Sequence, residues 1–172
     1  MEWRDKIFKN HSIQEFEDLA FEVFRYQLKH CEVYSDYVSV LGKVNPSELS
    51  EMPFLPISLY KSRKIISNAF SNYDSIFKSS GTQGERSIHY VADTDVYKNS
   101  FDWTYRNFIG NPEDQTIIGL LPNYVEQGDS SLVYMVNSLI ENSDNSESQF
   151  FLSELDQLQE VVSKSQKMGK QL

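Results

Sequence analysis

Ser79-Ser80-Gly81-Thr82-Gln83-Gly84 is the stretch whose reading decides the fold. It follows a short apolar run, Ser75-Ile76-Phe77-Lys78, and precedes a second, Ile88-His89-Tyr90-Val91. Glycine permits positive φ and close approach of the backbone to a ligand. Successive backbone N–H groups in such a loop can converge on an anion as a nest, and Ser79, Ser80 and Thr82 add hydroxyl donors. The pattern therefore has two readings, a phosphate cradle between two strands or a plain Ser/Gly turn. Neither G-x-x-x-x-G-K-[ST] nor G-x-G-x-x-G occurs, which excludes a Walker loop and a dinucleotide fingerprint.

Working outward, Ser12-Ile13-Gln14-Glu15 reads as a capping box. Ile13, Phe16, Leu19, Ala20, Val23, Phe24, Leu28 and Cys31 follow at helical spacing. Cys31 on that apolar side reads as a packed small hydrophobe. A second helix is expected from Tyr34 to Leu41, stopping at Gly42, and Ser47 to Met52 is expected to make one more turn. Pro53 and Pro56 bracket Phe54-Leu55 and predict an extended connection from Met52 to Ile57.

Beyond the loop, Asp93 or Thr94 caps a helix running to about Ile109, with Val96, Tyr97, Phe101, Tyr105 and Phe108 inward. Thr116 to Leu121 is a nearly continuous apolar run that suits a strand covered on both faces. Ser130 or Ser131 caps the next helix, with Leu132, Val133, Met135, Val136, Leu139 and Ile140 inward. Phe150-Phe151 reads as a short strand, and Ser153 opens a last helix ended by Gly169. Alternating strands and helices predict an α/β fold, helices layered on a largely parallel sheet. Two segments are expected, a helical one over 1–74 and an α/β one over 75–172, forming one continuous domain. Few strands accompany many helices, and the chain stops soon after Gly169. The fold is therefore expected to be incomplete, the N-terminal part of a longer polypeptide.

Composition narrows the function. A chain of 172 residues with 40% hydrophobic and 13% aromatic residues can bury a core. Its net charge of −9 disfavours nucleic acid as a partner, which needs clustered Lys and Arg. One cysteine and three scattered histidines offer no metal-ligand spacing. No apolar run of about 20 residues predicts a membrane span, and the charged start Met1-Glu2-Trp3-Arg4 does not read as a secretory signal. A cytoplasmic setting is expected.

Three segments and the loop carry a family resemblance. Ser79 to Gly84 resembles the S-S-G-T-T-G loop of the adenylate-forming superfamily. Pro53-Phe54-Leu55-Pro56-Ile57-Ser58-Leu59-Tyr60-Lys61 resembles the I-P-F-L-P-I-S-x-F-K segment of the acyl-protein synthetases, LuxE type. Phe24-Arg25-Tyr26-Gln27 with Val33-Tyr34 and Tyr37 resembles their first helices, and Gly119-Leu120-Leu121-Pro122-Asn123-Tyr124 with Ser130-Ser131-Leu132 resembles their L-P-S-Y block. Gln83 stands where the superfamily has a second Thr. Arg86-Ser87 replaces its P-K pair, whereas Ser87-Ile88-His89 matches the S-x-H of the LuxE type.

The resemblance implies ATP-dependent activation of a fatty acid to an acyl adenylate, then acyl transfer to a protein thiol. It implies ATP and Mg²⁺ as cofactors, and an acyl-CoA or fatty-acid reductase or an acyl carrier as partner. It assigns the phosphates to Ser79, Ser80, Gly81, Thr82, Gln83, Gly84 and Arg86. His89 either faces the nucleotide or alternates outward on its strand; Tyr124 either borders the acyl pocket or is core. The resemblance places the acceptor cysteine and the ribose contact beyond residue 172, so this chain alone is expected to catalyse little. Two other functions fit the same residues: an acyltransferase that takes a pre-activated donor, and a non-catalytic interaction domain.

Overall fold

The structure is a computed structural model that describes residues 6–9, 11–79, 84–120, 128–152 and 154–168, with only the backbone at 155 and 168. Trp3, Ser80, Gly81, Thr82, Gln83, the 121–124 block with Tyr124, Ser153 and Gly169 lie outside the described residues. The fold is mixed α/β, and its residues cluster into two compact units, Met1–Val96 and Tyr97–Leu172.

In the first unit the long helix α1, Ile13–His30, starts on the expected capping box. The Glu15 N–H donates to Ser12 Oγ, and the Ser12 N–H donates to Glu15 Oε2 at 2.8 Å. Two otherwise orphaned amides are satisfied by one reciprocal pair. The exchange holds the Glu15 carboxyl below the usual carboxylate range, chiefly through the Ser12 backbone bond. Cys31 is buried at the corner where α1 gives way to α2, Glu32–Val40. Gly42, at φ 67°, takes the left-handed position just past α2.

A 3-10 turn at Leu49–Glu51 stands where the extra helical turn was expected. The double-proline segment is extended from Met52 to Pro56, and the Tyr34 hydroxyl donates to the Pro53 carbonyl at 2.7 Å. The expected extended stretch ends one residue early. Ile57 opens a turn that leads into α3, Leu59–Ser62, a helix the sequence reading did not contain. The Pro56 carbonyl accepts from the Leu59 N–H at 3.0 Å, so the second proline starts this turn.

Strands β1, Ser75–Lys78, and β2, Ile88–Val91, pair antiparallel, while β3, Ile118–Leu120, and β4, Gln149–Phe151, pair parallel. The expected single, largely parallel sheet is thus replaced, among the described residues, by two separate two-stranded sheets. Connection length explains the difference. The short link 79–87 can only turn back on itself, because a parallel crossover needs a dozen or more residues. β3 and β4 are joined through α5, Ser131–Asn142, which supplies that length.

The other helices are α4, Thr94–Phe108, and α6, Leu155–Met168. In the first unit the buried apolar residues are Phe24, Cys31, Val38, Ile65, Phe77 and Val91. In the second they are Phe101, Val133, Leu139, Phe151 and Val161.

Several expected core positions are open to solvent. Ile13 and Phe16 sit in the first turn of α1 and are exposed, because burial on that helix begins deeper, at Phe24. Phe108 is 77% exposed, since α4 ends there and the chain turns away through Gly110 at φ 141°. Leu132 is exposed in the first turn of α5, and Leu120 is 66% exposed, so β3 is not covered on both faces. Among the described residues no helix is long and apolar enough to cross a membrane.

Candidate functional site

The hairpin β1–β2 carries the loop. Its register pairs Ser75 with Val91, Ile76 with Tyr90, Phe77 with His89 and Lys78 with Ile88. Side chains directly opposite in an antiparallel pair share a face. Phe77, His89, Ser75 and Val91 therefore stand on one side, and Ile76, Tyr90, Lys78 and Ile88 on the other. Phe77 and Val91 are buried, which anchors the first face.

The ladder continues one step past the strands. The Ser79 N–H donates to the Ser87 carbonyl at 3.0 Å, and the Ser87 N–H donates to Ser79 Oγ, also at 3.0 Å. The Arg86 Nε–H donates to the Ser79 carbonyl. Ser79 thus spends its amide on the hairpin and uses its hydroxyl oxygen as an acceptor, which leaves the hydroxyl proton as what it can offer a ligand. The same bonds hold a permanent positive charge, Arg86, at the base of the loop. Gly84 takes φ 105°, and a Cβ placed there would meet nothing within 4 Å. Backbone conformation, not space, is what calls for glycine there.

Both faces of the hairpin are braced. On one, the Tyr60 ring of α3 meets His89 edge-on, with centroids 5.6 Å apart and planes at 82°. Desolvation raises the Tyr60 hydroxyl above its ordinary pKa and pushes the exposed His89 imidazole below its own. On the other face, Lys64 lies 5.2 Å from the Tyr73 ring and 5.0 Å from the Tyr90 ring. These cation–π contacts tie the segment before β1 to β2.

Among the predicted site residues, the hairpin brings together Ser79, Gly84 and Arg86, with His89 on β2. Tyr60 was not singled out from the sequence. It lies inside the double-proline segment, but nothing in the spacing of residues 60 and 89 announces their contact.

Two cavities, of about 420 and 360 Å³, open elsewhere in the first unit. The larger is flanked by Lys6, His11 and Glu22, and the smaller by Phe21, Arg25 and Pro46. Among the described residues, none of those in the loop lines either. Among the described residues no cluster of three or more His, Cys, Asp or Glu could hold a metal ion.

With this geometry in view, the similarity to known proteins falls in a ligase class, the LuxE type that the loop and the double-proline segment resemble. Over 71 residues the chain is 34% identical to the long-chain-fatty-acid–luciferin-component ligase of Photorhabdus luminescens. The match takes in 40% of this chain and 60% of that protein, so the chain spans less than two thirds of its curated relative. No protein-family model matches the chain, and no solved structure matches it.

Proposed function

We propose that the protein activates a long-chain carboxylic acid with ATP, forming an acyl adenylate whose acyl group then passes to a protein thiol, and that the β1–β2 loop holds the phosphates. The hairpin closure carries this reading. Ser79 and Ser87 fix both ends of the Ser/Gly loop, and Arg86 sets a charge at its base. Similarity to a fatty-acid ligase supports it.

The chemistry asks for positioning rather than covalent catalysis. A carboxylate is a poor electrophile because its leaving group is oxide. Attack of its oxygen on the α-phosphorus makes a mixed anhydride and releases pyrophosphate. Negative charge grows on the leaving group, where hydroxyl and N–H donors and a guanidinium stabilise it. Holding the reacting atoms in line supplies much of the remaining acceleration. Mg²⁺ bound to the phosphate oxygens would share this charge with the protein.

The test is exchange of labelled pyrophosphate into ATP. The full-length protein should support exchange only when a long-chain fatty acid is present, and Gly81→Val should abolish it while leaving the circular-dichroism spectrum unchanged. Exchange that persists in the folded variant removes the loop from the reaction. Consumption of an acyl-CoA without ATP would point instead to an acyltransferase.

A further inference from the structure

His89 is a second group on the face of the hairpin where the loop hydroxyl stands. Ser79 and Ser87 pair one step beyond Lys78 and Ile88, so they share a face with Phe77 and His89. Two residues along a strand separate Ser87 from His89, about 7 Å. On this face Phe77 is buried, whereas the directly opposite His89 is exposed. Among the described residues nothing hydrogen-bonds to either of its ring nitrogens; its contact is the edge-on Tyr60 ring. The imidazole is thus oriented from one side and open to a ligand from the other.

We infer that His89 is a ligand-contacting residue of the loop, which takes up a proton and donates a hydrogen bond when a polyphosphate binds beside Ser79, with Tyr60 positioning its ring. The inference rests on the phosphate reading given above and extends it to a residue outside the Ser/Gly stretch. Opposite charges within roughly 4–6 Å favour the protonated form, so an anion that reaches from the Ser79 hydroxyl to the imidazole would raise the His89 pKa.

Arg86, held at the Ser79 carbonyl, sets a fixed positive charge at the base of the loop, which an anion bound beside Ser79 would offset. The elements packed most closely on β2 are β1 and α3. β1 offers the cross-strand Phe77, which does not titrate, and Lys78 belongs to the opposite face. α3 offers Tyr60, whose hydroxyl is raised above its ordinary pKa by desolvation, with Cys31 adding to the shift, and carries the exposed Lys61. In the free protein partial desolvation lowers the imidazole below its ordinary pKa, although the residue is exposed to solvent.

The test is a proton NMR titration of the histidine Cε1–H resonances, with and without sodium pyrophosphate and ATP, alongside calorimetric binding. His89→Gln assigns the signal, and His11 and His30 serve as internal references. Saturating ligand should raise the His89 pKa by about one pH unit or more and leave the other two unmoved. Tyr60→Leu should reduce that rise, and Tyr60→Phe, which keeps the ring, should preserve it. Binding by calorimetry with the His89 pKa unmoved overturns this inference and leaves the loop reading standing. Absence of any binding overturns both. A response to pyrophosphate equal to that for ATP assigns the contact to the phosphates; a response to ATP alone assigns it to the nucleoside end and overturns the polyphosphate contact.

Discussion

Ser79 and Ser87 clasp each other twice: the Ser79 amide donates to the Ser87 carbonyl, and the Ser87 amide donates to the Ser79 hydroxyl, each at 3.0 Å. The first bond is one any residue could make; the second depends on the side chain. Ser79→Ala should therefore loosen the mouth of the loop without breaking the strands. The expected cost is about 0.5–1.5 kcal/mol, read by chemical denaturation, with faster hydrogen exchange at the Ser87 amide. Ser79→Thr, which keeps the oxygen, should behave like the parent. An unchanged Ser87 exchange rate in the alanine variant would show that the hydroxyl does not hold the loop.

Gly119 has no room for a methyl group. A Cβ there would lie 2.5 Å from Phe150 Cδ1 and 3.1 Å from Val136 Cγ1. The Phe150 ring closes over the β3 backbone, and overpacking of this kind costs about 1–3 kcal/mol. Gly119→Ala should destabilise by that amount in urea melts. Adding Phe150→Ala should cost less than the sum of the two single changes, because the second removes the atoms the first collides with. Simple additivity would contradict the contact.

What the sequence made legible was local. The box at Ser12 and Glu15, the Ser130 cap that accepts from the Val133 N–H, and the left-handed Gly42 are all encoded within four residues of where they act. Strand positions were readable from apolar runs, but strand direction at β1–β2 followed from the length of the 79–87 link. Exposure was less legible. Phe108 and Leu120 fit an inward pattern, yet pattern records only what a residue could bury, and tertiary packing decides what does. The loop residues of the candidate site stood together in the sequence. Tyr60 against His89 did not, because a contact between distant residues leaves no trace in either one's neighbours.

Arg106 grips Glu113 with both ends of its guanidinium, at 2.9 and 2.7 Å, while its Nε–H donates to Asp102 Oδ2 at 2.9 Å. Those bonds lower the Glu113 carboxyl to about 2. A depressed acid contributes stability above its unfolded value near 4.5, and loses that contribution as pH falls toward 2. Stability should therefore decline with acidification through that window, and Glu113→Gln should flatten this part of the profile. The pair is exposed enough for salt to weaken it. Thermal melts from pH 2 to 6 at low and high salt give the comparison, and parallel profiles for parent and variant would remove the pair from acid sensitivity.

Thr116, Asn145 and Ser165 form a polar knot in the second unit. The Asn145 Nδ2–H donates to Thr116 Oγ1 at 2.7 Å, and the Thr116 and Ser165 hydroxyls are hydrogen-bonded to each other at 2.6 Å. Thr116 is 2% exposed and Ser165 fully buried, so water cannot replace a lost partner. Thr116→Val keeps the shape but strands both the Asn145 amide and the Ser165 hydroxyl, which should cost about 1–3 kcal/mol. Ser165→Ala leaves Thr116 with its Asn145 bond and should cost less. That ranking, measured by denaturation, separates a hydrogen-bonded knot from mere packing, because packing alone would penalise the lost serine oxygen and spare the near-isosteric valine. Hydrogen exchange should localise the damage. Amides of α6, which carries Ser165, should lose protection in both variants, and retained α6 protection would show that the helix is anchored elsewhere.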